Sequence, residues 1–144
     1  MRRAGIGLVV SLLALVGVVM ASAATSATKF EIALKGPNES PAAPASNKGT
    51  VELTLNAKTG RVCWEFKLGQ IDGKPNQAHI HKGKRGVSGN IVVPLGAGYK
   101  RQGCTTASKA LVRSILKSPA GFYVNVHNAK HPAGAMRGQL ARGA

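Results

Sequence analysis

Acidic residues are scarce in this chain. It has 5 Asp and Glu against 20 Lys and Arg, which gives a formal net charge of +15 with histidine neutral. The only aspartate, Asp72, has no serine and histidine that the sequence pattern would bring beside it as a catalytic triad. Glu52 and Glu65 fall on the outer faces of predicted strands with no companion acid, so hydrolysis by a carboxylate pair is unsupported too. We therefore expect a protein that is not an enzyme.

Long hydrophobic runs are absent beyond residue 20. The run at residues 6–20 has about 15 residues, whereas a membrane-spanning helix needs about 20. Arg2 and Arg3 precede this run and Ala21-Ser22-Ala23 follows it, in the order typical of a secretory signal peptide. We expect residues 1–24 to be a cleaved signal and residues 25–144 to form one domain, periplasmic or secreted and not transmembrane. Retention of the segment as an anchor is the alternative.

Aromatic residues are also few, at 4% of the chain. The 12 lysines are spread from Lys29 to Lys130 without a compact basic run or interleaved aromatics, which argues against nucleic acid as a partner. Removal of the signal lowers the formal charge from +15 by two, to +13. Such a surface attracts anionic envelope polymers, glycans or an acidic protein surface. A solvated basic surface without a specific ligand is the alternative.

Cysteine occurs twice, at Cys63 and Cys104. In an exported protein an even count favours a disulfide, and two residues allow one pairing. Closing a loop of about 40 residues would restrict the unfolded chain by roughly 3–4 kcal/mol. Cys63 alternates with apolar neighbours, so we expect the bond to tie a loop to the outer surface of the sheet. Metal binding by the thiolates is the alternative, which an oxidising compartment disfavours.

Alternation of apolar and polar residues dominates the rest of the chain. Val62, Trp64 and Phe66 alternate with polar residues, and similar runs lie near residues 30–34, 51–55, 77–82, 90–95, 122–127 and 135–140. Residues 109–116 have helical spacing, and residues 100–108 are polar enough to predict a loop. This pattern predicts an all-β fold, an antiparallel Greek-key-type β-sandwich of about seven to eight short strands with one short helix or turn.

Three of the four histidines fall in these strands. If Ile80 and the apolar residues of the later strand enter the core, then His79, His81 and His127 all face outward. If the two strands are neighbours, these imidazoles can bind a transition metal such as copper or zinc. His131, in the following loop, is a candidate fourth ligand. Hydrogen-bonded surface histidines without a metal are the alternative.

Three other polar residues are candidates for structural or supporting roles. Asn125 shares the predicted outer face with His127, and both Asn125 and Arg137 can hydrogen-bond loops or histidines. Glu39 lies in a loop rich in turn-forming residues, where an ion pair with Arg137 would fix this loop to the last strand. The less favoured alternative is that Glu39 accepts a histidine N–H and supports a metal site.

Five motifs occur in a characteristic order along the chain. They are Gly-Pro-Asn-Glu-Ser-Pro at 36–41, Ala-His-Ile-His-Lys-Gly at 78–83, Gly-Asn-Ile-Val at 89–92, Gly-Phe-Tyr-Val-Asn-Val-His at 121–127 and Gly-Ala-Met-Arg-Gly-Gln-Leu at 134–140. Taken together, residues 29–140 resemble the CHRD domain, a module of chordin and of many exported bacterial proteins.

The resemblance implies an all-β extracytoplasmic domain. In chordin the module belongs to a secreted antagonist of bone morphogenetic proteins, a role that a lone domain need not share. Ala135 stands where the family usually carries an acidic residue, so no role of that carboxylate is expected here. The chain is more faintly similar to copper/zinc superoxide dismutase, but four histidines and one aspartate fall short of that enzyme's two-metal ligand set. The comparison implies at most a single exposed copper site, with dismutase activity a minor alternative.

Overall fold

The computed structural model describes residues 27–141, and the predicted signal at residues 1–24 lies outside this range. The strands and the helix, in chain order, are β1 (Ala27–Lys35), β2 (Lys48–Asn56), β3 (Arg61–Leu68), β4 (Pro75–Lys82), β5 (Ile91–Pro94), β6 (Gln102–Thr106), α1 (Lys109–Lys117), β7 (Phe122–Asn128) and β8 (Met136–Gln139). Short 3-10 turns lie at Gly36–Asn38 and Pro119–Gly121. Within the described range, no helix is long and apolar enough to cross a membrane.

All eight strands belong to one curled sheet in the order β5-β4-β7-β8-β1-β2-β3-β6. Every pairing among the described strands is antiparallel. Three pairs of neighbours in the sheet, β4 with β7, β8 with β1 and β3 with β6, are not consecutive in the chain. Strands β1 and β8 share a single bridge, Lys35 opposite Arg137. The sheet therefore consists of two four-stranded halves with a narrow seam between them. The predicted all-β antiparallel fold is confirmed.

One hydrophobic core lies between the two halves of the curled sheet. Phe30, Ile32 and Leu34 of β1 are buried at alternate positions, as the period of a half-buried strand requires. Ile80 and Val124, from the other half, belong to the same core. The predicted helix is also confirmed: Ser108 caps its first turn by accepting the Leu111 N–H, and its buried face joins the core.

The stretch predicted as a loop at residues 100–108 contains strand β6, so that prediction was wrong. Cys104 lies on this strand directly opposite Cys63 of β3. The predicted disulfide between them is present, but it joins two neighbouring strands and not a loop to a strand. Because β6 is an edge strand, it needs no alternating apolar residues to form backbone hydrogen bonds with β3. Its polar sequence therefore resembled that of a loop.

Candidate metal centre

The register of β4 against β7 brings the strand histidines together. His79 of β4 lies opposite Asn125 of β7, and His81 lies opposite Tyr123. His127 lies opposite Gln77, the next pair along the same face of the sheet. Residues in register share a face of the sheet. The core therefore lies on one side of these strands, and the three histidines lie together on the other side. The structure confirms the neighbouring strands that a common site requires.

This histidine face is buried, contrary to the expectation that it faces solvent. His79, His81 and His127 are only 8%, 7% and 8% exposed, and every residue of β7 is buried. Three segments cover the face: residues 36–47, residues 83–90 and residues 129–135. Gly89 of the second segment and Pro132 of the third contact histidines through their carbonyl oxygens, and Glu39 of the first lies close to Asn125. Strand alternation predicted which face the histidines occupy, but it carries no information about loops that fold over this face.

Backbone carbonyls orient two of the three imidazoles. Nδ1 of His81 lies 2.8 Å from the Gly89 carbonyl oxygen, and Nδ1 of His127 lies 2.9 Å from that of Pro132. A carbonyl oxygen only accepts, so each Nδ1 carries the hydrogen and donates it. Nε2 of each neutral ring then holds a free lone pair, the arrangement usual for a metal-ligating histidine.

Within residues 27–141, one ring nitrogen of each of these three histidines is buried and has no hydrogen-bond partner. These atoms are Nδ1 of His79, Nε2 of His81 and Nε2 of His127. The three histidines form a cluster in which the candidate ligand atoms all lie within 4.8 Å of one another. An unsatisfied buried polar atom costs about 1–3 kcal/mol, so this cluster is costly unless something binds the lone pairs.

Burial also keeps these imidazoles neutral at neutral pH. It is the largest of the causes that lower the pKa of His79 to about 4, and the neighbouring His127 and His81 act in the same direction. Burial is likewise the main cause that lowers the pKa of His81 and of His127. Because only a neutral imidazole binds a metal, the three side chains are in the form that ligation needs.

The cluster fits a first-row transition ion. Zinc is bound by imidazole nitrogen at about 2.0–2.1 Å, which places the ligand atoms of a tetrahedral site about 3.3 Å apart. The candidate ligand atoms of the three histidines lie within 4.8 Å of one another, an upper limit that includes this spacing. Three protein ligands also leave a coordination position open for a further ligand.

Tyr123 and Arg137 form a stacked layer beside the histidines. The Tyr123 ring stacks on His81 with centroids 4.8 Å apart, and the Arg137 guanidinium lies 3.3 Å from the centre of the same ring. Arg137 also donates hydrogen bonds to the carbonyls of Lys84 and Val87. The side chain that covers one face of Tyr123 thus also fixes the segment at residues 83–90. Tyr123 was not among the predicted site residues, although strand alternation places it on the same face.

Glu39 does not form the ion pair with Arg137 that was favoured from the sequence. No ion pair within residues 27–141 includes Glu39, because Arg137 gives its hydrogen bonds to backbone carbonyls and Gln139. Burial raises the pKa of Glu39 to about 7, and Arg137 opposes this effect at longer range. Asn125 favours the charged form of both groups, which lowers the pKa of Glu39 and opposes the lowering of the His81 pKa by burial.

His131 lies apart from the three strand histidines. Its Nε2 is 3.4 Å from Oδ2 of Asp72, a carboxylate that Lys130 also contacts. The structure thus does not bring the predicted fourth ligand into the cluster. Asn125 and Glu39 instead contribute the other buried acceptors without a partner in the described chain, Oδ1 and Oε1 respectively.

The comparison with protein families gives one match, in which the model of the CHRD domain covers residues 30–140. The chain belongs to the CHRD family. The comparison with curated proteins finds no match, and neither does the comparison with solved structures. The matched part of this CHRD domain includes the three clustered histidines and the three segments that cover them. Ala135, at the position where an acid was expected from the family, is fully buried, and Glu39 is the buried acid of this domain among residues 27–141.

Proposed function

We propose that this CHRD protein is exported and binds one transition-metal ion, copper or zinc, through His79, His81 and His127, without catalysing a reaction. The observation that carries the proposal is the set of three buried ring nitrogens without partners, one from each histidine of a single cluster. Such an arrangement costs free energy in the empty site, and a bound cation reverses this cost.

The nature of the ligands selects the ion. Imidazole nitrogen suits copper, zinc and nickel, whereas calcium and magnesium prefer oxygen ligands. The Gly89 and Pro132 carbonyls hold two rings in the tautomer that ligation needs. A solvent molecule in the open coordination position would be a hydrogen-bond donor. Asn125 and Glu39 each have a buried oxygen without a partner in the described chain that would accept this hydrogen bond.

The disulfide supports the exported location. Cys63 and Cys104 are bonded to one another, and disulfides persist in oxidising compartments such as the periplasm or the extracellular space. The signal-like residues 1–24 agree with this assignment. A test is to fuse residues 1–24 to a reporter enzyme that is active only after export. Retention of the reporter in the cytoplasm would contradict the proposed location.

Calorimetric titration of the purified protein with Zn²⁺ and with Cu²⁺ tests the metal site. We expect one ion per chain, with a Kd below about 10 μM, roughly −7 kcal/mol. The double variant His79→Ala/His81→Ala removes two of the three clustered rings and should lose this binding. His131→Ala is the matched control, because it removes a histidine outside the cluster and should leave affinity unchanged. Weaker binding, or equal affinity in the double variant, would contradict the proposal.

A further inference from the structure

Charge is distributed unevenly along the chain. All five acidic residues lie between Glu31 and Asp72, whereas residues 73–141 contain 11 Lys and Arg and no Asp or Glu. Of these 11 cations, only Arg101 and Lys130 form ion pairs within the described chain. Residues 73–141 therefore carry a positive charge that acidic side chains of the described chain hardly neutralise.

Three cations of this half of the chain belong to a short segment that also carries two exposed apolar side chains. Lys82, Lys84 and Arg85 are exposed and take part in no ion pair of the described residues. Val87 is 55% exposed and Ile91 is 49% exposed, and these two are the exposed large hydrophobic residues of the described range. Together, residues 82–91 form the segment that we call the basic loop. Exposed apolar side chains in one short cationic segment suit a surface that is both apolar and anionic.

The basic loop is held in place by bonds to the sheet. Arg137 donates to the Lys84 carbonyl at 2.7 Å and to the Val87 carbonyl at 3.0 Å. Gln139 donates to the Gly83 carbonyl, and His81 donates to the Gly89 carbonyl. The backbone that carries Val87 is therefore held in place, so that binding through this segment costs little conformational entropy.

We propose that the basic loop is a docking site for the surface of an anionic lipid membrane. Val87 and Ile91 would enter the interfacial layer, while Lys82, Lys84 and Arg85 contact the lipid phosphates. Val87 and Ile91 are exposed aliphatic side chains, the kind that enters the interfacial layer of a membrane. The single sign of charge in residues 73–141 also matches an extended surface of opposite sign.

Sedimentation with lipid vesicles tests this docking. We expect the purified protein to bind vesicles of phosphatidylcholine mixed with phosphatidylglycerol, and not vesicles of phosphatidylcholine alone. Val87→Ser/Ile91→Ser should weaken binding about tenfold, because it removes the apolar contribution. Both side chains are exposed, so the variant should keep the melting temperature of the parent protein.

A pair of triple variants separates the basic loop from general charge. Lys82→Ala/Lys84→Ala/Arg85→Ala should weaken binding about a hundredfold. Lys109→Ala/Arg113→Ala/Lys117→Ala removes the same charge from exposed positions of α1 and should weaken binding less than about tenfold.

Equal losses in the two triple variants would overturn the assignment to the basic loop and leave only diffuse attraction. Absence of binding to the mixed vesicles would overturn the lipid assignment and favour an acidic protein as partner. Both measurements are made without added metal, so either result is independent of whether the histidine cluster binds an ion.

Discussion

At Glu39, burial favours the neutral carboxyl group, whereas the positive charge of Arg137 favours the ionised one. Its folded pKa is about 7, whereas its ordinary value is 4.5. As pH rises from 4.5, the unfolded chain loses this proton while the folded chain keeps it, so the fold is destabilised progressively up to about pH 7. Above that pH the full cost remains, which the size of the pKa shift puts at up to about 3 kcal/mol.

Glu39→Gln should therefore stabilise the fold in a pH-dependent way. Glutamine keeps the shape but carries no charge, so the free energy of unfolding should rise by about 2–3 kcal/mol at about pH 8 and change little below about pH 4. Urea unfolding at both pH values measures the difference. Glu31→Gln, at an exposed position of β1, is the control and should give no such gain. An equal effect of Glu39→Gln at both pH values would contradict this explanation.

At the scale of the element, the disulfide stabilises the half of the sheet that lacks the histidines. It joins β3 and β6 across a sequence separation of 41 residues. Cys63→Ser/Cys104→Ser should lower the free energy of unfolding by about 4 kcal/mol, because the unfolded chain regains the freedom of the closed loop. Metal affinity, measured where the variant is still folded, should stay the same. A large loss of affinity would show that the two halves of the sheet are more tightly coupled than their single bridge suggests.

The seam between β1 and β8 depends on a glycine. A Cβ atom at Gly138 would lie 2.4 Å from the Ala33 carbonyl oxygen and 2.4 Å from Cγ2 of Ile32. Gly138→Ala should therefore destabilise the fold by about 1–3 kcal/mol, the usual cost of overpacking. Gly121→Ala is the control, because a Cβ there meets nothing within 4 Å. Chemical denaturation of both variants checks the prediction, and equal stabilities would contradict it.

At the scale of the whole molecule, bound metal should stabilise the entire domain. The cluster combines β4 and β7 with covering segments distant in sequence, so the unfolded chain does not hold these ligands together. Zn²⁺ at a hundredfold excess over its Kd should raise the free energy of unfolding by about 2.7 kcal/mol. Differential scanning calorimetry should show a higher melting temperature for the parent protein and no shift for His79→Ala/His81→Ala. An equal shift in both would place the ion elsewhere.

Sequence periodicity predicted the elements well where strands alternate and poorly where they do not. The residues around Val62 and Val124 showed the alternation of half-buried strands, and the structure confirms both strands. Strand β6 was missed because its stability comes from backbone pairing with β3, which needs no particular side chains. Arg137 was expected to hydrogen-bond loops or histidines, but the side-chain pattern did not indicate that its partners would be the carbonyls of Lys84 and Val87.

The sequence by itself determined that His79, His81 and His127 lie on the face opposite the core, since side chains alternate along each strand. It also determined the cysteine pair, because only two cysteines exist. Only the tertiary structure decided that β4 lies beside β7, that the three strand histidines are buried and that Glu39 forms no ion pair with the other described residues. The physical reason is that alternation is a local property, whereas strand neighbours and covering loops depend on contacts between distant residues. The order of side chains along the chain does not indicate which backbone carbonyls will take part in those contacts.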